Sequence, residues 1–281
     1  MTVAVVTDST GSLASADAER EGITVVPLQV IIGAEVHVEG TSVTADMIAE
    51  ALASFVPVNT SRPSPEELLG AYERLAAQGV DEIVSVHLSA RMSGTFESAE
   101  LAAKQASVPV TVVDSTQVGI ATGFAAGRAA RVVAAGGTAL EAADAARRAG
   151  ESSTALIYVD TLEYLRRGGR VGAAAALIGS ALSVKPLLTI ADGIVQPLER
   201  VRTQSKALAR LGALTVEAAR ACGDEGFDIG VQHLANEQAA QQVADRLAHD
   251  LGLDGVPVDE VGAVIGAHVG PGTVAVSVTP R

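Results

Sequence analysis

The chain has 281 residues, 48% of them hydrophobic and 19% charged, and carries a formal net charge of −13. This composition excludes a disordered chain, and the negative field disfavours contact with nucleic acid or an anionic membrane surface. The length suits two domains.

Residues 3–6 are a short apolar strand ending in the polar turn Thr7-Asp8-Ser9-Thr10-Gly11. Residues 23–32 read as one or two strands, punctuated by Gly33 and Gly40. Thr44 is placed to cap a helix over 45–55. Ser64 and Glu67 have capping-box spacing, with Pro65 at the first helical position, so a helix should run to Gln78 and stop at Gly79. Residues 82–88 are a strand, Ser89 to Thr95 a turn, and 96–106 a helix. A strand over 110–113 leads into Asp114-Ser115-Thr116, and an Ala-rich helix over 119–135 ends at Gly136-Gly137. Thr138 and Glu141 make a second capping box, for a helix to Arg148. Apolar strands separated by helices predict a parallel sheet with helices on both faces, an α/β domain over residues 1–155.

The second half reads differently. Residues 155–159 are a strand, and a short helix from Thr161 is broken by Arg166-Arg167-Gly168-Gly169-Arg170. Strands 186–190 and 194–200 flank Asp192-Gly193, the strongest hairpin signal in the chain. Helices over 205–221 and 236–251 and strands over 229–234 and 274–278 complete an α+β domain, residues 156–281, with a mixed or antiparallel sheet.

Several chemistries lack their motifs. There is no Walker-type phosphate loop, no G-x-G-x-x-G after the first strand, no H-E-x-x-H and no G-x-S-x-G. The single Cys222 allows no intrachain disulfide and reads as a small core residue, and scattered histidines make zinc a poor fit, so no metal or cofactor is expected. The opening MTVAVVTDST has no secretory pattern and no apolar run reaches the about 20 residues of a membrane span, so a cytoplasmic protein is expected.

Hydroxyl-rich turns recur instead: Thr7 to Thr10, Thr60-Ser61, Ser89 to Thr95, and Asp114 to Thr116. At the carboxyl edge of a parallel sheet, such hydroxyls and helix N-terminal amides suit an anionic head group. Singly, each turn is better explained as a helix cap. His268, in the Gly/Pro-rich loop GAHVGPGT, is either a functional donor or a loop-packing residue. His37, His87, His233 and His249 read as structural. Arg166, Arg167 and Arg170 form a basic knot on an acidic protein, either a solvated turn or a docking site for an anionic partner.

The segments VVTDSTGSL, NTSRPSPEEL, HLSARMSGTFESA, VVDSTQVGIATG, YVDTLEYLRRGGRVG, SVKPLLTIADGIV and IGAHVGPGTVAV together resemble the DegV family of fatty-acid-binding proteins. The resemblance implies a DegV/EDD-like two-domain fold with one long-chain fatty acid in a tunnel between the domains. It implies a partner, an ATP-dependent fatty acid kinase of the dihydroxyacetone-kinase type, which converts the bound carboxylate to an acyl phosphate for phospholipid synthesis. Carried onto this chain, the carboxylate contacts fall on Thr60 and Ser93, with Gly94 and His268 beside them, and the Arg170 turn falls in the part associated with the kinase. Arg62 stands where the family often has Gln. On this reading the chain is a carrier without catalytic activity of its own. The rival is a serine-type acyl hydrolase with Ser93 as nucleophile, His268 as base and Asp8 as orienter. A lipid-responsive regulator that touches DNA fits poorly with the net charge.

Overall fold

The computed structural model describes residues 1–177 and 185–281. In chain order the strands are β1 (Val3–Asp8), β2 (Ile23–Val26), β3 (Gln29–Ile32), β4 (Glu35–Val38), β5 (Val58–Ser61), β6 (Glu82–His87), β7 (Val110–Asp114), β8 (Thr154–Tyr158), β9 (Lys185–Ala191), β10 (Ile194–Val201), β11 (Phe227–His233), β12 (Val258–Glu260) and β13 (Val274–Pro280). The helices are α1 (Ser15–Glu21), α2 (Ala45–Ala53), α3 (Pro65–Ala77), α4 (Thr95–Ala103), α5 (Ile120–Ala134), α6 (Ala139–Ser152), α7 (Glu163–Arg167), α8 (Gln204–Ala221), α9 (Glu237–Leu251) and α10 (Ala263–Val269).

Strands β2-β1-β6-β7 form an all-parallel sheet. Neighbouring residues of a strand point to opposite faces, and Val5 and Val6 show the result. Val5 joins the alanines of α5 and α6, whereas Val6 packs with Leu68, Ala71 and Tyr72 of α3 and Ala99 and Ala102 of α4. Both faces are therefore covered, as the apolar strands predict. Both capping boxes form: Ser64 with Glu67 starts α3, and Thr138 with Glu141 starts α6.

The second sheet has the order β10-β9-β8-β13-β11-β12 and is antiparallel except for the β11–β12 pair. Asp192 and Gly193 both have positive φ, 52° and 72°, as a two-residue hairpin turn requires. Helices α8 and α9 cover one face through Leu211, Val243 and Leu247. The opposite face presents Ile157, Leu188, Ile190 and Val195.

Two features differ from the sequence expectations. Residues 23–32 form two strands in different sheets, because β3 leaves β2 to pair antiparallel with β4 and β5. Thr60 thus lies in a strand and not in a turn. This small sheet packs with α2 and α10 through Val30, Ile48, Leu52 and Val264. His268 lies in the last turn of α10 and not in a loop. Glycines 262, 266 and 270 disguised that helix, whose first turn is held by Glu39, whose Oε1 accepts from Val264 N at 2.7 Å.

The Ala-rich helices α5 and α6 lie between the two large sheets and touch β13 as well as the parallel strands. Gln232 of β11 accepts the Ile120 amide at 3.0 Å, which ties the start of α5 to the second sheet. Cys222 is half-buried just beyond α8, where burial pushes its thiol pKa up.

Candidate functional site

A cavity of about 400 Å³ lies between the carboxyl edge of the parallel sheet, β5, α10 and the free face of the second sheet. That volume is within the range of small-molecule sites. Its walls are mainly aliphatic and include Leu28, Leu88, Val118, Ile157, Leu188, Ile190, Val195, Val264 and Ile265. Thr60, Arg62, Ser93, Gly94, Arg170 and His268 also line it.

Each polar side chain is placed by a different element. Strand β5 carries Thr60, whose Oγ1 is 2.9 Å from His268 Nε2 on α10, across 208 residues of sequence. Ser93 precedes α4, and its Oγ is 2.9 Å from Thr95 Oγ1. Gly94 is the N-cap of α4 and makes no side-chain cap; its amide has no acceptor among the described residues and is free to donate. Arg62 crosses to this turn and donates from Nη1 to Gly94 O at 3.1 Å. A Cβ on Gly94 would meet that guanidinium, so a larger residue there would displace the Arg62 side chain from the turn. From the other side, Arg170 donates from Nε to Met92 O at 3.1 Å and from Nη1 to Gly168 O at 2.6 Å.

His268 is neutral near pH 7. Burial, and then the neighbouring Arg170 charge, push its pKa down to about 4. Its Nδ1 is buried without a partner and packs against Gly168, where a Cβ would collide with it. The arrangement offers an anion two hydroxyls, an amide and a neutral imidazole beside two guanidinium groups.

The sequence expectations fare unevenly. Thr60, Ser93, Gly94 and His268 come together on one cavity, and Arg170 lines it too. Arg166 and Arg167 stand apart: both bind Glu163 along the exposed face of α7, and these hydrogen bonds hold the Glu163 carboxyl down at about 2. The Asp114 turn is outside the cavity lining and closes on itself, with Thr116 N donating to Asp114 Oδ1 at 2.7 Å.

The hydrolase triad is not assembled. Asp8 accepts from Thr10 N, Thr10 Oγ1, His87 Nδ1 and Leu88 N, so it orients His87 and not His268. The hydroxyl of Ser93 meets another hydroxyl and not a base. The carboxylate and the two candidate catalytic groups thus belong to separate networks.

Two contributors escaped the sequence reading. Arg62 stood out as a departure from a family pattern but not as a cavity cation. Glu39 is buried, which raises its carboxyl pKa, and joins Ser9 Oγ at 2.5 Å to the amide of Val264 on α10. No local motif marks it, because its partners are 30 and 225 residues away. Among the described residues no group of three or more His, Cys, Asp or Glu is placed to hold a metal, and no helix is long and apolar enough to cross a membrane.

A family model described as "Uncharacterised protein, DegV family" matches residues 2–281. A DegV domain-containing protein of Streptomyces coelicolor is 51% identical over 280 residues, covering 99% of each chain. One from Mycobacterium tuberculosis is 38% identical and covers 99% of this chain and 97% of its own. Among solved structures, a DegV family protein from Thermus thermophilus described for its fatty acid binding superposes with a TM-score of 0.90 at 32% identity over all of both chains. The Bacillus subtilis DegV, described as a fatty acid binding protein, does so with a TM-score of 0.90 at 31% identity, again over all of both chains.

Proposed function

The chain belongs to the DegV family, and we propose that it is a lipid carrier that binds one long-chain fatty acid in the cavity between two domains, residues 1–155 and 156–281. The acyl chain lies along the aliphatic walls, and the carboxylate meets Thr60, Ser93, the Gly94 amide and His268. The observation that carries this reading is the pairing of an aliphatic lining with one cluster of hydroxyls, a free amide and an imidazole in the same cavity. The fatty acid binding described for the Thermus thermophilus and Bacillus subtilis proteins supports it.

Magnitudes divide the work between tail and head. Burying about fifteen methylenes at ~0.8 kcal/mol each gives a gross term of about 12 kcal/mol. Each hydrogen bond to the carboxylate adds only about 1.5–3 kcal/mol. The tail dominates affinity, and the head group fixes orientation. A neutral His268 fits this role, since its one N–H donates a hydrogen bond and there is no nucleophile for it to activate.

We further propose that the protein works in the cytoplasm and presents the carboxylate to an ATP-dependent fatty acid kinase of the dihydroxyacetone-kinase type, the acyl phosphate serving phospholipid synthesis. The carrier supplies no catalytic group. Docking falls to the basic turn that follows the cavity rim: Arg166 and Arg167 on α7, with Arg170 beside them. Because Arg170 also lines the cavity, the docking test uses the other two. Arg166→Ala with Arg167→Ala should leave fatty acid affinity unchanged and raise the carrier's KM for the kinase at low salt, the difference from wild type shrinking as added salt screens the contact.

Lipid extraction of the purified protein, followed by fatty acid analysis, tests the carrier reading. One fatty acid per chain, released only on denaturation, is the expected result. A covalent acyl adduct on Ser93, or no lipid binding after incubation with palmitate, would overturn it.

A further inference from the structure

The cavity's charge is distributed in a way that the carboxylate contacts alone leave unexplained. Thr60, Ser93 and the Gly94 amide are neutral donors, and His268 is uncharged near pH 7. The cations lining the cavity, among the described residues, are Arg62 and Arg170. Each grips one end of the same short turn, Arg170 at Met92 O and Arg62 at Gly94 O. Their remaining capacity differs. Arg170 commits Nε and Nη1 to backbone carbonyls at 3.1 and 2.6 Å. Arg62 commits Nη1 alone, to Gly94 O at 3.1 Å and to Glu97 Oε2 at 3.5 Å. The second distance is too long for a strong bond, and both side chains of that pair are more than half exposed. The Nε and Nη2 groups of Arg62 have no acceptor among the described residues.

A guanidinium with a free edge beside neutral donors is suited to bind a planar or tetrahedral anion through parallel hydrogen bonds. We propose that Arg62 is a specificity-determining residue of the head-group site, whose free edge pairs with the ligand's anionic group so that the cavity selects acyl lipids by head-group charge. This rests on the lipid-carrier reading above. Binding should strengthen from a neutral head group to a monoanion to a dianion. Gln at this position would keep a donor but lose the charge, and Lys would keep the charge but lose the fork.

The test uses three ligands with the same hexadecyl-length chain: hexadecanol, palmitate and hexadecylphosphonate, each titrated at pH 8 into protein stripped of lipid. Wild type, Arg62→Gln and Arg62→Lys are compared at low and at physiological salt. Arg62→Gln should weaken palmitate by about tenfold, the factor that corresponds to about 1.4 kcal/mol and to a charge-assisted hydrogen bond. It should weaken the phosphonate more and hexadecanol by less than about twofold, with losses shrinking as salt screens the charge. Arg62→Lys should recover part of the palmitate affinity. Equal losses for all three ligands, or no loss for any, would overturn the proposal and leave Arg62 a strut between Gly94 and Glu97. A wild-type protein that binds none of the three would overturn the carrier reading itself, and this inference with it.

Discussion

His87 and His268 stand in two polar clusters made of similar side chains, and the clusters end differently. In the parallel sheet, Asp8 Oδ2 is 2.9 Å from His87 Nδ1, His87 Nε2 is 2.8 Å from Ser85 Oγ, and Ser85 Oγ is 2.9 Å from Tyr72 OH. All four side chains are fully buried, and Asp8 also takes the amides of Thr10 and Leu88. At the cavity, His268 has Thr60 on one ring nitrogen and nothing on the other. A carboxylate, an imidazole and a hydroxyl in sequence look like a catalytic relay, yet the cluster that has them is sealed from any substrate. A network with every donor matched holds strands and turns in place; one with donors left over is ready for a ligand. Burial pushes the Tyr72 hydroxyl up to about 12, so it keeps its proton and remains a strut.

The contrast can be broken from either side. Asp8→Ala should have the largest effect. It strands the donors of Thr10, His87 and Leu88 and should cost about 3–5 kcal/mol of unfolding free energy, read from urea denaturation. Ser85→Ala removes the middle of the same chain and leaves Tyr72 OH and His87 Nε2 unpaired, so about 2–4 kcal/mol should be lost by the same measurement. The open cluster should answer in the other currency. Thr60→Ala and Ser93→Ala should each weaken palmitate binding by about 1–3 kcal/mol while stability changes by less than about 1 kcal/mol. Unchanged affinity in both variants and in the double variant would remove these residues from the site.

The last effect is a pH dependence, felt only in acid. His268 is held at about 4 in the folded chain, against an ordinary value of 6.5. Between those values the unfolded chain takes up a proton that the folded chain does not. The stability tied to this group is therefore complete above pH 6.5 and falls as pH drops toward 4. His268→Gln should flatten that part of the profile, seen as a smaller difference between urea midpoints at pH 7 and pH 5. An identical slope in the variant would assign the acid sensitivity to other groups.

What the sequence made legible was local. Both capping boxes, the Asp192-Gly193 turn and the alternation of apolar strands with helices depend on residues a few positions apart, and all appear in the structure. The gathering of Thr60, Ser93, Gly94 and His268 was reached through resemblance, because the Thr60–His268 contact closes 208 residues of chain and no periodicity reports it. Helix α10 has the composition of a loop because its glycines mimic turn punctuation, and β5 that of a turn because of Asn59, Thr60 and Ser61. In both places tertiary packing overrides local preference: Val264 and Ala267 are buried against Ile48 and Leu234. The Asp8–His87 pairing is hidden for the same reason, its members lying 79 residues apart, and it changes Asp8 from orienter of a catalytic base to anchor of two strand ends.

The layer formed by α5 and α6 has a consequence for how the molecule comes apart. Their alanines complete the packing of the parallel sheet, and the same two helices bear on β13 of the other sheet. Gly230 leaves room for Ile120, and the Ile120 amide is held by Gln232. On the far side of the cavity, Ser89 donates to Gly193 O at 2.7 Å, and a Cβ on Gly193 would come within 2.5 Å of the Ser89 hydroxyl. The second sheet leans on helices that also close the parallel sheet, so loss of either sheet strips packing from the other. Heat should take the chain through one cooperative transition, and the cavity would vanish as a whole at that temperature, with no half-molten species that keeps one wall of it.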